Sequence, residues 1–317
     1  MQADMSLIDL FRLVPDDKAA ERLIEEARWP NGVACAHCGS EDVASVSHPT
    51  MPYRCRECRK HFSVKTNTVM HSSKLGYQKW VIATYLMTTS VKGISSLKLA
   101  EVLGITQKSA WHLAHRIREM YDLDQDKYSG EVEVDETYIG GLEKNKHSNK
   151  KLRAGRGTVG KTPVVGLLSR AAKRVKAQVI DSTESSVLQK FVTDNTEPEA
   201  TVYSDEAPSY NGIPRRHASV AHKSGEYVRD RCHTNGIESF WAVLKRGYKG
   251  TYHHMSRKHL QRYINEFTGR HNDRKKTTEE KVRAFPLRAA GRRLRWIDLA
   301  RDHRPSRQLS LFDGKTS

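Results

Sequence analysis

The sequence predicts a multidomain α+β protein in which a small metal-bound unit and a helical unit precede a larger α/β domain. Three observations carry this. Two Cys-x-x-Cys pairs sit near the N-terminus, at Cys35/Cys38 and Cys55/Cys58. Apolar residues recur at helix spacing from Tyr77 to Tyr121. From Tyr128 onward, period-two alternation in Glu131–Asp135 announces strands.

The first thirty residues read as one helix, capped by Asp16 or Asp17, carried by Ala19 to Ala27 and ended at Trp29-Pro30-Asn31-Gly32. The cysteine-rich unit follows, from Val33 to Thr68. Its pairs are separated by sixteen residues, within the spacing of a four-thiolate zinc site. Each pair presents two sulfurs from one turn, and zinc takes four in a tetrahedron. Two disulfides or a redox pair is the alternative. Arg54, Arg56, Arg59 and Lys60 surround the second pair, where they suit a DNA backbone.

In the helical unit, Trp80, Ala83 and Met87 mark an apolar face widened by Ile82 and Leu86. Ser95 or Ser96 caps a short helix, Gly104-Ile105 makes the turn and Thr106 starts a third helix. With Ala110, Leu113, Ala114 and Ile117 inward, Gln107, Lys108, Trp111, His112, His115 and Arg116 fall near the outer side. That mixture suits the groove-reading helix of a helix-turn-helix, and an ordinary helical hairpin is the plain alternative. In the large domain, Pro163–Ser169, Val175–Ile180 and Ala200–Ser204 read as strands. Ser185–Val192, Asn235–Arg246 and Arg257–Phe267 read as helices. Lys144–Lys161 reads as a mobile basic loop, and the last forty residues as a basic, loosely held end.

The chain of 317 residues carries a formal charge of +17. A balance this basic points to a polyanion, with nucleic acid first and a ribosomal or membrane surface behind it. No apolar stretch approaches a membrane span or a signal sequence, so a cytoplasmic protein is expected.

Three carboxylates stand where chemistry would need them. Asp135 ends the first large-domain strand, Asp205 ends a later one, and Glu238 sits early on the helix after it. Two divalent ions held by carboxylates from neighbouring elements suit phosphodiester chemistry. On that helix Asn235, Glu238, Ala242 and Lys245 share one stripe, and Ile237, Phe240, Trp241 and Leu244 fall broadly on the other side. Glu131, Glu133 and Glu136 flank Asp135 as ordinary acidic neighbours. Cys232 reads as a small buried residue.

Taken together, Val134–Gly141, Tyr203–Glu206, Asn235–Trp241, Lys245–Tyr252 and His259–Phe267 resemble the DDE-type insertion-sequence transposases that carry an N-terminal zinc ribbon. The resemblance runs from about residue 7 to 298. It implies an N-terminal helix (1–32), a zinc ribbon (33–68), a helix-turn-helix (74–122), an RNase H-like catalytic domain with a mixed sheet (128–275) and a basic extension (276–317). It also implies magnesium or manganese at a two-metal site, binding of terminal inverted repeats and target DNA, oligomeric pairing of ends, and a bacterial, nucleoid-associated setting. It carries roles as metal ligands onto Asp135 and Asp205. The third position falls to Glu238 or Asn235, with Lys245 two turns beyond Glu238 suited to a phosphate. A zinc-ribbon DNA-binding regulator, or an inactive copy, is the competing expectation.

The tail segment Gln308-Leu309-Ser310-Leu311-Phe312 resembles the pentapeptide with which bacterial DNA enzymes dock on the replication sliding clamp. Docking on the protein's own surface is the alternative. Clamp pull-down is expected to weaken with Leu311→Ala plus Phe312→Ala, and equal capture of both proteins sinks the clamp reading.

Overall fold

The computed structural model describes residues 4–121, 125–145, 147–152, 157–205, 208–220 and 233–300. Cys232, the tail 308–312 and part of the basic loop lie outside the described residues.

Two helices, not one, open the chain. In α1 (Leu7–Leu13), Ser6 and Asp9 form a capping box, each bonding the other's backbone N–H. In α2 (Asp17–Arg28), Asp16 is the cap, accepting from Ala19 N at 2.7 Å. Asp17 is thereby released to accept from Gln78 N at 2.9 Å and pin the next helix. The cysteine-rich unit is a three-stranded antiparallel ribbon of β1 (Val43–Ser45), β2 (Tyr53–Cys55) and β3 (His61–Phe62). It docks on α2 through Trp29, whose ring meets Tyr53 and Phe62 edge-on.

Helices α3 (Tyr77–Thr89), α4 (Ser96–Leu103) and α5 (Gln107–Arg118) follow, with Ser95 and Thr106 capping the latter two. Gly104 turns the chain between them at φ +58°, a conformation glycine adopts without Cβ strain. Helix α3 is buried nearly all round, Val81 and Tyr85 included, because α2 and α9 (Thr278–Arg283) also pack against it.

The C-terminal stretch overturns the expectation of a loose end. Residues 278–300 form α9, α10 (Phe285–Ala289) and α11 (Trp296–Ala300). Val282, Phe285 and Ala289, spaced three and four apart, enter one core with Leu10, Ile24, Trp80 and Ile117. Phe285 stacks on Trp80 with centroids 6.2 Å apart. The basic composition hid this apolar stripe. The N-terminal helices, α3–α5 and the C-terminal helices therefore share a single hydrophobic core.

The larger α/β part is a five-stranded mixed sheet of order β6-β5-β4-β7-β8. Its strands are β4 (Glu131–Ile139), β5 (Thr162–Ser169), β6 (Arg174–Val179), β7 (Thr201–Asp205) and β8 (Arg216–Val220). β4, β5 and β6 pair antiparallel, and β4–β7 and β7–β8 pair parallel. β4 continues four residues past Asp135, and β8 was not foreseen. Helix α6 (Ser185–Asn195) packs on one face with Val132, Val134, Val165, Leu167 and Val202. Helices α7 (Asn235–Gly247) and α8 (Arg257–Asn272) cover the other with Ile139, Val164 and Leu168.

A buried carboxylate ties the two parts together. Glu266 of α8, fully buried, accepts from Arg118 Nε of α5 at 2.7 Å and from the Tyr252 hydroxyl at 3.1 Å, and pairs with Arg270.

Candidate active site and zinc site

Strand alternation decides which side chains share a face. Val132 and Val134 face α6, so Glu133, Asp135 and Thr137 face the α7 side. Val202 faces α6, so Tyr203 and Asp205 face α7 as well. The parallel register pairs Glu131 with Thr201 and Glu133 with Tyr203, and Asp135 and Asp205 each lie two residues beyond the last pair. Helix α7 then passes over this edge. It buries Ile237, Phe240, Trp241 and Leu244 and leaves Asn235, Glu238, Ala242 and Lys245 exposed, as the helical stripe predicts. Glu238 is held by the Thr234 hydroxyl, which donates to Oε1 at 2.7 Å.

The charge environment of Asp135 includes the other two carboxylates. Burial, then the charges of Glu136, Asp205 and Glu238, push the Asp135 carboxyl up to about 8. Glu136 points to the opposite face, where its carboxylate accepts from the buried Tyr210 hydroxyl at 2.6 Å. Among the described residues, the three carboxylates are not drawn into a tight cluster of ligand atoms.

The sequence reading missed Glu133. This carboxylate is 1% exposed. It accepts from the backbone N–H of Ile237 at 3.0 Å, in the first turn of α7, and from Arg170 Nε at 2.9 Å. Arg170 also donates to the His233 carbonyl at 2.6 Å and lies 4.3 Å over the Tyr203 ring. His233 Nδ1 is 3.3 Å from the same carboxylate but lacks a hydrogen bond's alignment. A helix N-terminus carries orphan N–H groups and partial positive charge, so a buried carboxylate there is doubly favoured.

Two glycines admit the helix. A Cβ on Gly236 would meet Glu133 Oε2 at 2.8 Å. A Cβ on Gly166, the cross-strand partner of Asp135, would meet the Trp241 ring at 2.7 Å. The bond from Glu133 to α7 thus sets where Glu238 stands relative to Asp135. The signal available in the sequence was an acidic residue two before Asp135, hence on its face, in a strand otherwise apolar on the α6 side.

The four cysteines converge as expected. Sγ of Cys35 lies 3.6 Å from that of Cys58, Cys38 lies 3.6 Å from Cys55, and all four sulfurs fall within 4.8 Å of one another. A zinc tetrahedron with bonds of about 2.3 Å separates its sulfurs by roughly 3.8 Å, whereas a disulfide needs about 2.05 Å. The thiols are free, and they fit a structural zinc. Backbone N–H groups of His37 and Cys58 point at Sγ of Cys35 and Cys55 from 3.4 Å, and Gly39 and Arg59 turn each knuckle at positive φ.

The outer side of α5 is less open than its sequence indicates. Gln107 and Lys108 are exposed. Trp111 and His112 are half-buried, packed edge-on against Trp296. His115 is fully buried, and Arg116 is 7% exposed, donating to the Leu294 carbonyl at 3.1 Å. For His115 and Arg116 the expected outward position is corrected. The segment before α11 lies across α5 and covers them, and α8 brings His259 and Tyr263 onto His115.

Comparison with known proteins identifies two domains in the chain. Residues 127–272 match the ISXO2-like transposase domain, and residues 15–61 match the transposase zinc-ribbon domain. A protein of Halobacterium salinarum, described as an uncharacterized protein in transposable element ISH50, is 26% identical over 286 residues. The match spans 85% of this chain and 95% of that protein. Among solved structures, a chain of the simian T-cell lymphotropic virus intasome in complex with PP2A regulatory subunit B56 gamma aligns at 12% identity and a TM-score of 0.28. That alignment covers 55% of this chain and 63% of that one. The chain thus carries a transposase zinc-ribbon domain followed by an ISXO2-like transposase domain.

Proposed function

We propose that this chain cuts and joins DNA strands at Asp135, Asp205 and Glu238, in the manner of a DDE transposase. The observation that carries the reading is geometric. Two aspartates lie two residues beyond the last paired positions of adjacent parallel strands, on the face crossed by the helix that exposes Glu238. Three antiparallel strands flanked by two parallel ones, with helices on both faces, support an RNase H-like catalytic fold.

The donor set fits magnesium. All three groups are hard oxygen ligands, and a carboxyl pushed up by its acidic neighbours is one that a cation would relieve. Asp135, Asp205 and Glu238 would hold the ions, and Asn235 stands one turn from Glu238 as the alternative third donor. Bound there, a metal pair activates an attacking oxygen and stabilises a leaving one. The protein's own share is positional. Glu133 anchors the first turn of α7. Lys245, exposed two turns beyond Glu238, offers a point charge for a phosphate. The zinc ribbon and α4–α5 bind the element's inverted repeats, and paired protomers bring two ends to one target.

The test is strand transfer with end-containing duplex, target DNA and Mg²⁺. Asp135→Ala is expected to abolish cutting while sparing end binding. A variant that still cuts removes Asp135 from the site. Glu238→Gln and Asn235→Ala, assayed side by side, separate the two candidates for the third position.

A further inference from the structure

We infer that a basic cavity beside α5 binds a phosphate group. The cavity, about 340 Å³, lies between residues 71–75, α5 and residues 293–296. His71, Lys74, His112, Arg116, Arg293 and Arg295 line it, and among the described residues no carboxylate does. This rests on the reading of the chain as a DNA-acting transposase and specifies where that DNA is held.

The case begins with Arg116. Its guanidinium is buried, yet its described hydrogen bonds go only to neutral carbonyls, those of Leu294 and His71. A buried cation without a counter-anion is costly. Burial, with Arg293 nearby, accordingly pulls it down to about 10. The two histidines register the same field. Burial, then Arg293 and Arg116, lower His71, and burial, then Arg116, lower His112.

Of the remaining cations, Arg295 shares its charge with Asp298 at 2.8 Å, whereas Lys74 and Arg293 are exposed at the rim. A donor completes the set. The Ser73 hydroxyl oxygen accepts from Leu75 N and Trp80 Nε1, at 3.2 and 3.3 Å, so its own proton is free to point at a ligand. Guanidinium forks, an ammonium and a hydroxyl around an empty charge balance match a tetrahedral dianion or a backbone phosphodiester.

Location favours the DNA backbone. Lys108, exposed on the first turn of α5, lies 4.7 Å over the Trp296 ring at the cavity's wall. A strand seated with one phosphate in the cavity would run past the exposed N-terminal residues of α5. Phosphate contacts of this kind fix register without reading sequence.

The experiment uses the full chain and a variant with Lys74→Ala and Arg293→Ala, both at exposed positions. The readouts are anisotropy of a duplex carrying the element end, over a salt series, and ³¹P line width of inorganic phosphate. The control variant, Lys127→Ala with Lys190→Ala, removes equal charge from exposed sites on the sheet domain.

If the source is DNA, the cavity variant loses about 10-fold in duplex affinity, its salt slope falls by about 1, and the control changes little. If the source is free phosphate, only the wild type broadens the phosphate line and duplex binding is unaltered. An unchanged slope together with unchanged line widths overturns the site, as does an equal loss in the control. Strand transfer is read separately: a wild type that binds through the cavity but joins no strands sinks the transposase reading and leaves the phosphate site standing.

Discussion

Glu133→Ala is expected to lower stability by about 3 kcal/mol, because it removes the nearer of the two carboxylates that the largely buried Arg170 meets and orphans a helix N–H. Glu133 and Arg170 are 2% and 12% exposed at their side chains, so solvent cannot stand in for the lost partner. Activity is expected to fall further than stability explains. Helix α7 carries Glu238 and is bonded to β4 through Ile237 N, and misplacing a reacting group by about 1 Å costs on the order of 100-fold.

Urea denaturation measures the first effect and single-turnover strand transfer the second. Leu188→Ala, a large-to-small change on the opposite face of the sheet, supplies a comparison of about 2–5 kcal/mol. Equal activity loss in the two variants would mean that Glu133 only stabilises and does not position. Glu133→Gln should fall between, since Ile237 N and Arg170 Nε address different carboxylate oxygens and the amide turns one of them into a donor.

Removing the zinc is expected to unfold residues 33–62 and to leave the sheet domain intact. The ribbon buries little of its own, with Cys35, Cys55 and Phe62 as its fully covered members. A metal worth roughly 10–16 kcal/mol in small four-ligand units therefore dominates its folding. The sheet domain has two apolar layers that do not involve the ribbon. Cys55→Ser should release the metal, expose thiols to reagent and raise amide exchange through 33–62, with β4 and β5 still protected. Wild-type protein that holds less than one zinc per chain, or a variant whose ribbon stays protected, contradicts the assignment.

What could be read in advance followed from periodicity and spacing. The C-x-x-C pairs declared a four-thiol site because ligand spacing is local. The stripe on α7 was legible because a helix repeats every few residues, and its buried and exposed sets came out as drawn. Asp205 ends β7 as read, whereas Asp135 stands mid-strand, because β4 runs on to Ile139 through its pairing with β5.

What escaped depends on partners far apart in the chain. Glu133 reads as one acid among several until Arg170, Gly236 and Ile237 meet it across the sheet. Five residues of β8 carry no clear alternation, and only parallel pairing with β7 makes them a strand. Helices α9 and α10 bury Val282, Phe285 and Ala289 out of a basic run, and their worth appears only in the core they share with α2 and α3.

The buried Glu266 carboxylate has a mechanical meaning. Pulling α5 away from α8 would leave Arg118, 2% exposed, without the anion that balances it, and would leave Glu266 with Arg270 of its own helix as its remaining cation. The helical unit and the sheet are therefore expected to travel as one body. On the proposed function, DNA gripped at α5 reaches Asp135 and Asp205 along a path of constant length, so the protein acts as a ruler. The interval between the sequence it holds and the bond it cuts is then a property of this one buried salt bridge as much as of either site.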